Sequence, residues 1–150
     1  MLFRSVSQSR YLGVSDIEGE LLFYQFEDGA YNTFSSDLAD RVMSSGNTKL
    51  RGTISVPVRK LSTVLQDNLP FGQSIDVMSI DVEGFDFNVL LSNDWMQFRP
   101  KIILIELQWK SIKEVLQSDI FKYLSNREYV LYSKLINTCV FVLSDFDVGV

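Results

Sequence analysis

The stretch from Ser79 to Leu91, S-I-D-V-E-G-F-D-F-N-V-L-L, decides the fold. The apolar run from Ile75 to Ile80 arrives at Asp81, and beyond Gly84 the apolar residues recur at helical spacing. This pattern predicts a strand, a tight turn and a helix. Ligands of an open parallel sheet bind beyond the carboxyl ends of its strands, so Asp81 and Glu83 are expected where chemistry is usually done.

Further apolar runs predict the rest of this sheet. The run from Lys101 to Glu106, K-I-I-L-I-E, is continuous rather than alternating, which is typical of a parallel strand covered on both faces. With the Ile75 strand and the intervening helix it predicts a βαβ unit. Two strand patterns, Tyr129 to Ser133 and Thr138 to Leu143, are joined by only K-L-I-N and must be antiparallel if they pair. We therefore expect an α/β fold with a mostly parallel sheet and a C-terminal antiparallel hairpin.

Hydrophobic periodicity predicts the remaining elements. Apolar residues at helical spacing indicate one longer helix that begins near Ile112 and ends near Asn126. The others are strands over 11–14, 20–26 and 54–58, with shorter helices that begin at Ser36 and Lys60. The chain of 150 residues is 46% hydrophobic, which suits one domain over 1–150 with a real core.

Composition excludes several classes of function. The chain has no histidine, which removes Ser-His and Cys-His nucleophile pairs, His-ligated zinc and imidazole bases. The 14 basic residues are scattered among 19 acidic ones, so no electrostatic footprint for nucleic acid is present. The single cysteine, Cys139, lies in an apolar run and predicts a buried core thiol, compatible with a reducing compartment.

The sequence also bears on location. No apolar run approaches the roughly 20 residues of a membrane helix, and no signal-peptide core follows Met1. We expect a soluble, cytoplasmic protein without a membrane span. The first dozen residues contain Arg and Ser but no acid, a superficial match to an organellar transit peptide that is the minor alternative.

Four pieces of the chain carry a family resemblance. They are V-S-D-I-E-G-E-L-L-F-Y at 14–24, Y-N-T-F-S at 31–35, I-D-V-E-G-F-D-F-N-V-L-L at 80–91 and R-P-K-I-I-L-I-E-L at 99–107. In this order they resemble the FkbM family of S-adenosylmethionine-dependent methyltransferases, over most of the chain. The resemblance implies a Rossmann-like class I methyltransferase sheet. It also implies transfer of the sulfonium methyl of S-adenosylmethionine, most often to a hydroxyl of a sugar, lipid or natural product.

The resemblance also reveals a departure from the family pattern. Family members begin with a strand, a Gly-rich turn for the cofactor and a second strand that ends in an acid. Here the first glycine is Gly13, and no G-x-G run is present. We expect a partial domain, the C-terminal portion that lacks the first two strands. Since those strands lie mid-sheet in the class I order, the Ile75 strand would expose an apolar edge that favours poor solubility or self-association.

Asp81 and Glu83 are the candidate catalytic residues. The acceptor hydroxyl must lose a proton or be placed on a metal, so Asp81 is expected to act as its base or as an oxygen ligand for Mg²⁺. Glu83 would be its partner in binding substrate or metal. The alternative is that both carboxylates only favour the helix dipole.

Four further residues complete the candidate site. Ser15 and Asp16 follow the first strand, where the methyltransferase class places the adenine, so they are predicted to bind cofactor, although turn chemistry explains them as well. Asn32, within the Y-N-T-F match, and Glu106, which ends the next parallel strand, are predicted to bind substrate. For Glu106 a capping or ion-pair role is the alternative.

Two other functions stay open at this point. One is a non-catalytic remnant or binding module, suggested by the absent Gly-rich turn. The other is a metal-dependent glycosyltransferase, which would use D-x-E at Asp81 to Glu83 as its metal site.

Overall fold

The protein is represented by a computed structural model, which describes residues 3–4, 11–82, 84–107 and 111–146. It is a mixed α/β structure with two four-stranded sheets. The chain divides into two compact units, the first formed by residues 1–68 and 82–93 and the second by residues 69–81 and 94–150. Each unit is described in turn.

The first unit holds a sheet with the strand order β1-β2-β4-β3. Its strands are β1 (Phe3–Arg4), β2 (Tyr11–Val14), β3 (Gly19–Phe26) and β4 (Leu50–Arg59). β2 runs parallel to β4, whereas β3 pairs with β4 in antiparallel fashion. The two strands predicted on either side of the Asp16 turn, β2 and β3, are thus confirmed. β4 is longer than the alternating segment predicted at 54–58, because β3 forms hydrogen bonds along nearly all of it.

The described residues of this unit form three α-helices, α1 (Ser36–Ser45), α2 (Leu61–Asn68) and α3 (Asp86–Leu91), and one 3-10 helix, Gly29–Tyr31. The Ser35 hydroxyl caps α1 by accepting a hydrogen bond from the Leu38 N–H, and α1 ends at Gly46 with φ 69°. Among the described residues of this unit, two clusters of buried hydrophobic side chains stand out. One is Phe26, Ala39 and Val42, and the other is Phe23, Phe34, Val56 and Val58 with Phe85 packed against it.

The second unit holds a sheet with the order β5-β6-β8-β7. Its strands are β5 (Val77–Ile80), β6 (Ile102–Glu106), β7 (Tyr129–Lys134) and β8 (Thr138–Leu143). β5 and β6 are parallel, while β8 is antiparallel to both β6 and β7. The predicted parallel pair and C-terminal hairpin are therefore confirmed. Cys139 on β8 is buried, and burial raises the pKa of its thiol, as expected for a core cysteine.

The long helix predicted from Ile112 is wrong. Two short helices occur instead, α4 (Ile112–Gln117) and α5 (Asp119–Ser125). Ser118 separates them with an extended ψ of 154°, and its hydroxyl donates to the Val115 carbonyl and accepts from the Phe121 N–H. The apolar periodicity continues across the break, with Val115 buried in α4 and Ile120 and Leu124 buried in α5. None of the helices described here is long and apolar enough to cross a membrane.

The sheet expected from the sequence was single and mostly parallel. Among the described strands there are instead two sheets, with two parallel and four antiparallel pairs. In the first unit the reason is the four-residue connection between β2 and β3, which reverses the chain. A single domain with the class I strand arrangement stays a prediction.

Candidate functional site

The carboxyl ends of β5 and β6 bring two of the predicted acids to one edge of the second unit's sheet. The parallel ladder pairs Ile80 with Ile105, and the next residues along the two strands are Asp81 and Glu106. Asp81 is exposed and Glu106 is half-buried. Two carboxylates on adjacent strand ends can accept protons or hydrogen bonds from a hydroxylated ligand at this edge.

Glu83, the second predicted catalytic residue, lies outside the described residues. The residues that flank it form a turn in which the Phe85 N–H donates to the Val82 carbonyl at 3.3 Å. Gly84 has φ 92° in this turn, a conformation that favours glycine. The buried carboxylate of Asp86 accepts hydrogen bonds from the same turn. Asp86 was not predicted as a site residue, although its place as the third acid in D-V-E-G-F-D was a usable signal.

In the first unit, Ser15 and Asp16 follow β2 directly. Ser15 is 1% exposed, and its N–H extends the β2 and β4 ladder by donating to the Arg59 carbonyl at 3.0 Å. The Ser15 hydroxyl donates to Oδ1 of Asp16, also at 3.0 Å. Asp16 is half-buried. The pair therefore presents a held carboxylate at the carboxyl edge of the parallel strands of this unit, while the Ser15 hydroxyl is occupied within the protein.

Glu18, a second acid near the same edge, has a structural role that was not predicted from the sequence. Oε1 of Glu18 accepts hydrogen bonds from the Lys60 N–H at 3.1 Å and the Thr63 hydroxyl at 2.7 Å. These bonds, the Thr63 bond foremost, lower the pKa of Glu18. Glu18 thereby satisfies donors at the start of α2, a role that N-cap side chains usually fill locally.

Asn32 is accounted for by local structure. Its Oδ1 accepts a hydrogen bond from the Phe26 N–H at 2.8 Å, and its own N–H donates to the Gly29 carbonyl at 3.2 Å. Asn32 thus closes the loop between β3 and α1. Substrate binding by Asn32 stays a prediction.

One pocket of about 550 Å³ lies in the second unit, lined by Trp95, Met96, Arg99, Asn126, Arg127 and Glu128. Arg99 donates to the Glu128 carboxylate and to the Arg127 carbonyl, and the Arg127 guanidinium lies 3.5 Å from the Tyr123 ring centroid. Arg99 precedes β6 and Glu128 precedes β7, two strands that run in the same direction. The pocket is therefore at the amino edge of this sheet, opposite the two carboxylates, and its guanidinium groups are already engaged.

The predicted magnesium site at Asp81 gains no support. Within residues 3–4, 11–82, 84–107 and 111–146, no three or more acidic, cysteine or histidine side chains are grouped so that they could hold a metal ion.

The family model of the methyltransferase FkbM domain matches residues 5–131. The chain belongs to the FkbM methyltransferase family. The match spans every predicted site residue of this FkbM chain, from Ser15 to Glu106, and it confirms the resemblance drawn from the four sequence pieces. No curated protein and no solved structure matches the chain.

Proposed function

We propose that this FkbM-family chain acts in S-adenosylmethionine-dependent methylation of a hydroxyl group on a sugar, lipid or natural product. The family match carries the proposal. The adjacent strand ends at Asp81 and Glu106 support it, because methyl transfer to oxygen needs a group that accepts the hydroxyl proton. A glycosyltransferase is disfavoured by the same family match.

Asp81 and Glu106 have the acceptor groups that methyl transfer to a hydroxyl oxygen needs. S-adenosylmethionine, when bound, would supply an electrophilic methyl carbon: the methyl–sulfur bond would break, with its electron pair left on sulfur, as the acceptor oxygen bonds to the methyl carbon. Asp81 takes the proton of the acceptor hydroxyl, and exposure at the strand end leaves its carboxylate accessible to that hydroxyl. Glu106 orients a neighbouring hydroxyl of the acceptor by accepting its hydrogen bond.

In this proposal, Ser15 and Asp16 of the first unit bind the cofactor. The adenine amino group and the ribose hydroxyls are hydrogen-bond donors, and the Asp16 carboxylate is an acceptor held by Ser15. The donor and acceptor chemistry therefore fits a nucleoside at the carboxyl edge of β2.

A labelling experiment tests the proposal. Methyl-tritiated S-adenosylmethionine is incubated with polar-lipid and soluble-glycan fractions, using both the 150-residue chain and the product of the complete reading frame that encodes it. We expect acceptor-dependent label that falls about 100-fold or more in Asp81→Asn, while Asp40→Asn, an exposed acid on α1, retains it. Label that is absent with both proteins, or unaffected in Asp81→Asn, would overturn the proposal, and its absence would favour the non-catalytic remnant.

A further inference from the structure

Asp86, the first residue of α3, is a buried carboxylate with a defined set of hydrogen bonds. It is only 6% exposed. A carboxylate is costly to bury unless its oxygens accept hydrogen bonds. Its Oδ1 accepts from the Val82 N–H at 3.4 Å, and its Oδ2 accepts from the Gly84 N–H at 3.2 Å. Both oxygens are thus used, each on a different backbone amide.

The two amides stand at particular places in the chain. The Val82 N–H belongs to the peptide group that joins Asp81 to Val82, and the Gly84 N–H belongs to the one that joins Glu83 to Gly84. Asp86 therefore binds the peptide group that directly follows Asp81, the described member of the two proposed catalytic acids. A shift of the peptide group that joins Asp81 to Val82 would move Asp81, and misplacement of about 1 Å can cost a reaction about 100-fold.

Aromatic packing at Phe85 also holds this turn. The Phe85 ring lies 6.2 Å from the Phe34 ring, centroid to centroid, and joins the core cluster of the first unit. The turn is thus fixed at Phe85 by packing and at its two amides by one carboxylate.

We propose that Asp86 is a positioning residue for the methyl-transfer site, an inference that rests on the proposed function. It holds the Val82 N–H, which belongs to the peptide group that follows Asp81, and it uses its second oxygen to hold the Gly84 N–H of the same turn. In Asp86→Asn one oxygen is replaced by an amide nitrogen, which can only donate. That nitrogen would face a backbone N–H, and one of the two hydrogen bonds would be lost.

Enzyme kinetics and amide hydrogen exchange together test whether Asp86 is a positioning residue. In the protein that shows methyl transfer, Asp86→Asn is expected to lower kcat at least about tenfold with little change in S-adenosylhomocysteine affinity, and to speed hydrogen exchange selectively at Val82 and Gly84. Asp86→Glu keeps both oxygens and should recover part of kcat, which separates positioning from a general folding defect. Asp37→Asn is the matched control, because Asp37 is an exposed acid in the first turn of α1.

Two results would overturn the inference: a wild-type kcat in Asp86→Asn, or a lowered kcat without faster exchange at the two amides. If Asp86→Asn does not fold, an Asp86→Glu variant that is folded but no more active than background also counts against it. Failure of the proposed function is distinguishable, since the wild-type protein would then transfer no methyl group while the exchange data still report whether Asp86 holds the turn.

Discussion

Gly13 lies so close to the ring of Phe34 that a Cβ atom on it would be 2.8 Å from Cζ of that ring. The same Cβ would lie 3.0 Å from Cγ1 of Val58 on the neighbouring strand. The first contact is shorter than real carbon atoms allow and the second is unusually tight, so a larger residue at position 13 would force its neighbours in this filled core to shift.

Gly13→Ala should therefore destabilise the protein. Overpacking of a filled core costs about 1–3 kcal/mol, measured here as the free energy of unfolding in urea. Gly29→Ala is the control, since its Cβ would have no neighbour closer than 3.7 Å, and it should change stability by less than about 0.5 kcal/mol. Equal effects of the two substitutions would contradict the packing described around Phe34.

Tyr129 should make stability depend on alkaline pH. Burial raises the pKa of Tyr129 from its ordinary 10.0 to about 12. The folded protein then holds the phenol proton more tightly than the unfolded chain does, so this contribution to stability is present below pH 10 and is lost as the pH rises through 12.

Tyr129→Phe checks this dependence. The variant loses the hydrogen bond from the phenol to the Pro100 carbonyl, which should lower its free energy of unfolding by about 1 kcal/mol at neutral pH. As the pH rises above 10, the free energy of unfolding should fall less in the variant than in the wild type. Tyr132→Phe, at an exposed site on β7, is the control. Wild-type and Tyr129→Phe stabilities that run parallel over this alkaline range would refute the assignment.

β5 should mediate self-association. It is an edge strand among the described strands, and Val77 on it is 52% exposed. A flat apolar edge invites pairing with another chain, and a lysine on the edge opposes it. We expect concentration-dependent association in sedimentation velocity that Val77→Lys reduces and Met43→Lys, on exposed α1, does not. A wild-type monomer at all concentrations would refute this.

The local patterns of the chain were sufficient for most of its elements. The continuous run from Lys101 to Glu106 predicted the central strand β6, and the four-residue link at 134–137 predicted the antiparallel hairpin. These predictions succeed because burial on two faces and short connections leave few alternatives. The positions of Asp81 and Glu106 at neighbouring strand ends were predicted from two apolar runs, Ile75 to Ile80 and Lys101 to Glu106.

Hydrogen bonds from polar side chains to the backbone were beyond the hydrophobic patterns of the sequence. Ser118 breaks the predicted helix through its own hydroxyl, which hydrophobic periodicity does not register. Glu18 caps α2 from 42 residues away in sequence, and its turn-like neighbours gave no sign of that partner. Asp86 received no role from the sequence, because the backbone amides that it binds are brought to it by the path of the turn.

The most direct test of the central claim is calorimetric titration of S-adenosylhomocysteine into the 150-residue chain and into the product of the complete reading frame that encodes it. We expect saturable binding by at least one of them. Asp16→Ala should weaken it about tenfold through loss of a charged hydrogen-bond acceptor, while Asp40→Ala should leave it unchanged. No saturable binding by either protein at ligand concentrations up to about 1 mM, or binding indifferent to Asp16, would contradict the account.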